Sequence, residues 1–198
     1  RKNLTVSGTT TSGRIYDGTR TATSQLSFTS SALVGIVSGD IVTPDFSAAT
    51  GLFATKNVGT NKSITVAGVT IAGAQASRYV LTQPTGLSAN VTTQTVTVGG
   101  VMVPTRAYNT TTVAQLSTGA YNFTGIVSGD AVTLDDSAYV ATFATAGAAT
   151  LKVVTISGLA LAGDDAQNYT LTQPILQGDI VKASAVITFA ATRSATYN

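Results

Sequence analysis

The sequence predicts an all-β chain built of tandem modules, and three observations predict it. One stretch occurs twice, about ninety residues apart: Gly35-Ile36-Val37-Ser38-Gly39-Asp40 returns as Gly125-Ile126-Val127-Ser128-Gly129-Asp130, and Tyr79 to Pro84 returns as Tyr169 to Pro174. Thr, Ser, Val and Ile crowd nearly every segment, and these residues suit pleated strands, while the Asp, Asn and Gly between them suit turns. All nine acidic residues are Asp and Lys is sparse, so the usual residues of exposed helix faces are missing.

The elements follow in order along each copy. Lys62 to Ala72 reads as a long strand: Ile64 and Val66 alternate with polar neighbours, Gly68 interrupts, and Val69 and Ile71 resume on the opposite parity. Val154, Ile156, Gly158, Leu159 and Leu161 repeat the pattern. A bulge or kink is therefore expected at Gly68 and Gly158. The turns Ala72-Gly73 and Ala162-Gly163-Asp164-Asp165 come next, with room for one turn of 3₁₀ helix. Strands at Tyr79 to Thr82 and Tyr169 to Thr172 end at Gln-Pro, since proline has no N–H for the ladder. Leu87 to Thr92 and Ile175 to Lys182 close the modules, and new alternating runs begin at Val96 and Val186. Ser137 to Lys152 is alanine-rich but has no sustained helical period and is not expected to be helical.

Modules are thus expected over residues 1–92 and 93–182, with a third, cut copy over 183–198, where Ala195 to Asn198 resembles Arg106 to Asn109. No Pro-, Gly- or Ser-rich linker separates them, which predicts stiff joints and a rod about twice as long as it is thick. Each module is expected to be a small antiparallel Ig-like sandwich of about seven strands. The alternative is a β-grasp-like module with a short helix near residues 108–118.

Composition excludes several functions. A net charge of +2 with scattered Lys and Arg gives no nucleic-acid groove, and no run is long enough to insert in a membrane. Cys and His are both absent, which removes disulfides, thiolate nucleophiles, Ser–His pairs and the common zinc sites. No catalytic residues and no cofactor are expected. The acidic residues Asp40, Asp45, Asp130, Asp135 and Asp136 are the calcium candidates, because clustered loop carboxylates suit a hard cation. The competing reading is that they cap turns through their own backbone. Lys62 and Lys152, which recur within a strand, raise the idea of a Lys–Asn isopeptide, which needs a buried acid beside the lysine. Tyr16, Tyr79, Tyr108 and Tyr169 are read as core or core-edge residues rather than a carbohydrate platform.

Tyr16-Asp17-Gly18, the repeated GIVSGD segment, Phe53 to Thr60, the valine–glycine strand and Tyr79 to Thr92 together resemble the YDG-type repeats of large bacterial surface adhesins of the filamentous-haemagglutinin kind. The second copy departs from the pattern, with Tyr108-Asn109-Thr110 for Tyr-Asp-Gly and Ala146 to Ala149 for Lys-Asn-Val-Gly. The resemblance implies an extracellular, cell-surface array whose partners are neighbouring repeats of the same polypeptide. The expected function is a stalk or fibre segment, not an enzyme. The alternative is a set of modules that associate laterally or bind a host glycan.

Overall fold

The computed structural model describes residues 1–188, so the expected third copy lies largely outside the described residues, and residues 183–188 form no strand. The chain is all-β: strands make up 47% of it, no helix among the described residues reaches seven residues, and the sheets curl as half-barrels. Alternation drives this. In the strand Gly59–Ala67, Ile64 and Val66 are buried while Thr65 and Ala67 face out. Single 3₁₀ turns at Ala76–Arg78 and Ala166–Asn168 follow the two Ala-Gly turns, as the sequence suggests. Residues 108–118 contain no helix; they hold isolated bridges from Val113 to Thr142 and from Ser117 to Met102.

Two compact units form, and they do not follow the sequence period. Unit 1 comprises Arg1–Thr97, Phe123–Asp135 and Ala160–Thr172. Its N-terminal strand Lys2–Ser7 lies between Tyr79–Thr82, in parallel, and Ala32–Val34, antiparallel. A four-stranded sheet runs in the order Arg14–Ile15, Leu87–Thr92, Gly59–Ala67, Thr50–Phe53. From the second copy, Tyr169–Thr172 pairs in parallel with Gln94–Gly99, and Thr133–Asp135 pairs with Ala160–Ala162. Unit 2 comprises Val98–Asn122, Asp136–Leu159 and the chain from Gln173 onward. Its sheet orders Arg106–Ala107, Ile175–Val181, Ala149–Ser157 and Val140–Phe143, around buried Phe143, Val154, Ile156 and Ile180.

Two expectations are corrected and a third is narrowed. Purely antiparallel modules do not form, because four of the pairings are parallel; their partners lie far apart in sequence, which leaves room for the crossover a parallel pair needs. One core per copy does not form either. The larger core of unit 1 gathers Tyr16, Phe53, Ile64, Val91 and Val96 with Tyr169, and Ile126, Val127, Val132 and Leu161 pack against it. The break expected at Gly68 is present as a kink and not as a bulge. There the chain leaves the four-stranded sheet, turns at φ +80°, and enters Thr70–Ala72, which pairs with Thr43–Asp45. The change of parity read in the sequence is a change of sheet. The register shift that does occur lies opposite Asn61, between Ala89 and Val91.

Gln83 stitches the corner at Gly68. Its Oε1 accepts from the Val69 N–H at 3.0 Å and its Nε2 donates to the Val69 carbonyl at 2.8 Å, as Gln173 does for Leu159. The side chain replaces the ladder that Pro84 cannot continue. A Cβ on Gly68 would fall on the Ala48 carbonyl oxygen, in addition to the cost of a positive φ. Gly68→Ala is therefore expected to cost roughly 2–4 kcal/mol in urea unfolding. Gly119→Ala, where nothing lies within 4 Å of the added carbon, should leave the midpoint almost unchanged.

Candidate functional site: a buried carboxylate held by two tyrosines and a lysine

Asp130 sits at the end of the repeated GIVSGD loop, and its side chain is only 4% exposed. A carboxylate so buried needs donors and a counter-charge. Tyr16 Oη donates to its Oδ2 at 2.7 Å, Tyr169 Oη donates to the same oxygen at 2.6 Å, and Lys56 Nζ donates to Oδ1 at 2.8 Å. Lys56 also reaches Asp165 Oδ1 at 3.0 Å. The Tyr16 and Tyr169 rings meet edge to face at 5.5 Å. Beside them Asn168, fully buried, accepts the Val58 N–H at 3.0 Å. Tyr16, Lys56 and Val58 belong to the first sequence copy and the other four residues to the second, yet all lie in unit 1.

Charge balance follows from these contacts. Burial pushes the Asp130 carboxyl up, but the Lys56 ammonium and the two phenols outweigh it and hold the group below its usual range. Asp130 and Asp165 in turn raise Lys56. Burial first, and then the Asp130 hydrogen bond, raise both Tyr16 and Tyr169.

The cluster explains the Tyr16-Asp17-Gly18 segment. Tyr16 supplies the docking hydroxyl. Asp17 accepts from the Thr19 N–H at 2.8 Å and pairs with Arg14, which fixes the turn. Gly18 leaves space for Val127, whose Cγ1 would stand 2.7 Å from a Cβ on that residue. Arg14 lies over the Phe53 ring at 5.1 Å and anchors the turn to the core.

The calcium candidates are scattered among other tasks. Asp40 accepts from Tyr79 Oη at 2.6 Å and lies 3.4 Å from Arg78 Nη1. Asp45 accepts from the Ser47 N–H at 2.9 Å, which lowers its pKa. Asp130 is neutralised by Lys56, Asp135 lies in the strand Thr133–Asp135, and Asp136 pairs with Thr118 Oγ1 at 2.5 Å. Among the described residues no three acidic side chains gather as a cation site. Lys62 donates to Thr55 Oγ1 and to the Asn57 carbonyl, and Lys152 donates to Thr145 Oγ1, so these hydrogen bonds reach no carboxylate. Tyr16, Tyr79 and Tyr169 are buried, and Tyr108 is exposed. Sequence reasoning missed Lys56, Asp165 and Asn168, because each differs between the copies and the repeat therefore hides them. No helix among the described residues is long and apolar enough to cross a membrane.

The fold and the cluster define a tandem-repeat β protein whose copies meet in a buried polar junction. Residues 1–86 and 92–176 each match the YDG domain, and the chain belongs to that family. No curated protein and no solved structure matches the chain.

Three outcomes test the junction and its tyrosines. Asp130 is held below its unfolded pKa of about 4, so its contribution to stability is complete above that pH and is lost as pH falls through the folded value. Lys56→Met removes the counter-charge, and acid unfolding followed by circular dichroism should move to higher pH. Tyr16→Phe strips one donor from the buried carboxylate and is expected to cost about 1–3 kcal/mol. In an ultraviolet titration, Tyr16, Tyr79 and Tyr169 should ionise above the ordinary tyrosine value of about 10, and unfolding should abolish the delay.

Proposed function

We propose that this chain is a structural segment of a bacterial surface adhesin, a piece of stalk or fibre that spaces or displays other domains outside the cell. The observation that carries this reading is the Asp130 junction. Its carboxylate accepts from Tyr16, Tyr169 and Lys56, all fixed within the fold, which is the chemistry of a fastener rather than of a site that turns over substrate. A fastener made of side chains from both copies suits a polypeptide that must transmit position along its length. The tandem YDG domains, the low charge and the hydroxyl-rich composition support the same reading. The role requires no cofactor, and the partners it implies are neighbouring repeats.

A second reading is lateral association into bundles, favoured by exposed strand residues such as Leu52, Val140, Val153 and Ile175. Bundles in micrographs of purified chain would favour it.

The stalk role is tested in the producing bacterium with an antibody raised against this segment. Labelling of intact cells is expected, and removal of one whole ninety-residue period should shorten the reach of the array without abolishing adhesion. Antibody that reaches its target only after the cells are permeabilised would refute surface display.

A further inference from the structure

The junction in unit 1 is a template with two faces, and each face has a counterpart elsewhere in the chain. Tyr16, Lys56 and Val58 form its lower face; by sequence register Tyr108, Ala146 and Ala148 are their equivalents in the second copy. Tyr108 is 41% exposed where Tyr16 is 2% exposed, and it lines an open groove with Gly147, Ala148, Lys182 and Ala183. The upper face of the template is Ile126 to Asp130 with Asp165 to Tyr169; its equivalents are Ile36 to Asp40 with Gln75 to Tyr79. These are already built the same way. Tyr79 Oη donates to Asp40 and accepts the Val37 N–H at 3.0 Å, as Tyr169 does with Asp130 and Val127. The Arg78 side chain is 69% exposed there.

We propose that the Tyr108 face of one molecule receives the Asp40–Arg78 face of a second copy of this chain, with Tyr108 donating to Asp40 as Tyr16 donates to Asp130. The substitutions between copies are compensating. The template meets two acids, Asp130 and Asp165, with Lys56 from below. In the proposed pair Ala146 brings no cation, but Gln75 replaces the second acid and Arg78 stands beside Asp40 from above, so the remaining carboxylate keeps a cation beside it. Size compensates as well. Val58 faces Asn168 in the template, whereas its equivalent Ala148 leaves space for the larger Arg78. Thr110 is the one misfit, because its Cβ occupies the position where Gly18 makes room for Val127, and Val37 must shift. The contact joins two different faces, so it propagates into open chains or rings and not into a closed two-fold dimer. The proposal stands on the junction within unit 1 and does not require the surface role.

Sedimentation velocity on the purified chain over a concentration series tests it. The wild type should form reversible oligomers larger than dimers. Tyr108→Ala and Arg78→Glu alter exposed side chains, should leave the circular dichroism spectrum unchanged, and should each be monomeric. Their equimolar mixture should form dimers and nothing larger, since each variant keeps one intact face. Thr110→Gly should tighten association several-fold. The chain has no cysteine, so Ala148→Cys mixed with Arg78→Cys should give a disulfide-linked heterodimer under mild oxidation. A wild type that stays monomeric up to about 1 mM would overturn the proposal. Oligomers that survive both Tyr108→Ala and Arg78→Glu, or a mixture that stays monomeric, would overturn it equally.

Discussion

Burial of a carboxylate is the constraint on which unit 1 turns. An isolated ionised carboxylate in a protein interior is strongly unfavourable, and removing one partner of a buried pair typically costs about 3–5 kcal/mol. Asp130 meets that demand with donors drawn from distant segments: Tyr16 from the first turn, Lys56 from the loop after Thr50–Phe53, and Tyr169 from the strand Tyr169–Thr172. Hydrophobic packing alone tolerates small slips of one surface over another. A carboxylate that must meet two hydroxyls and an ammonium does not, so the cluster fixes register where Val96, Val127 and Val132 merely fill space.

The same logic explains why the compact unit and the sequence period are out of step. Each copy holds one group of strands around its GIVSGD loop and another around its long central strand. The chain passes between them at Gly68 and Gly158, where it changes sheet. Around Leu4, Val42 and Tyr79 the first group closes a small core of its own. The second group of the first copy instead shares its core with the first group of the second copy, as Tyr16 and Tyr169 in one cluster show. A repeat defined by sequence similarity marks where evolution duplicated the chain. A compact unit marks where apolar surface is covered, and nothing requires the two to begin at the same residue.

Much of this was legible in the sequence, and the rest was hidden for identifiable reasons. Alternation located Tyr79–Thr82, Tyr169–Thr172 and Leu87–Thr92, because each is a half-buried strand with a period of two. Gly68 was visible as a break, but a bulge and a change of sheet produce the same parity flip, and only the pairing partner separates them. The parallel ladders were invisible, since strand direction leaves no mark on local pattern. Tyr16 and Tyr169 were legible as buried, but their meeting on Asp130 was not, because turn chemistry accounts for a Gly-Asp pair in a loop equally well. Lys56 was the hardest to find: its equivalent is Ala146, and a comparison of copies highlights what they share.

That difference between copies separates two demands that the Tyr-Asp-Gly segment combines. The turn itself survives substitution. In the second copy Asn109 Oδ1 accepts from the Thr111 N–H at 3.2 Å, as Asp17 accepts from Thr19, and Arg106 grips Asn109 as Arg14 grips Asp17. Tyr108 N–H still donates to the closing strand at Val181, at 2.8 Å, matching Tyr16 and Thr92. Thr110 even adopts φ 70°, close to the 76° of Gly18, so the turn forms without glycine there, at the cost of a strained backbone. What demands it at Gly18 is the neighbour: Val127 lies against the bare Cα, and any side chain there would push the junction apart. The glycine is therefore a property of the interface and the turn a property of the strand pair. A copy can lose the first while keeping the second, and the second copy has done so.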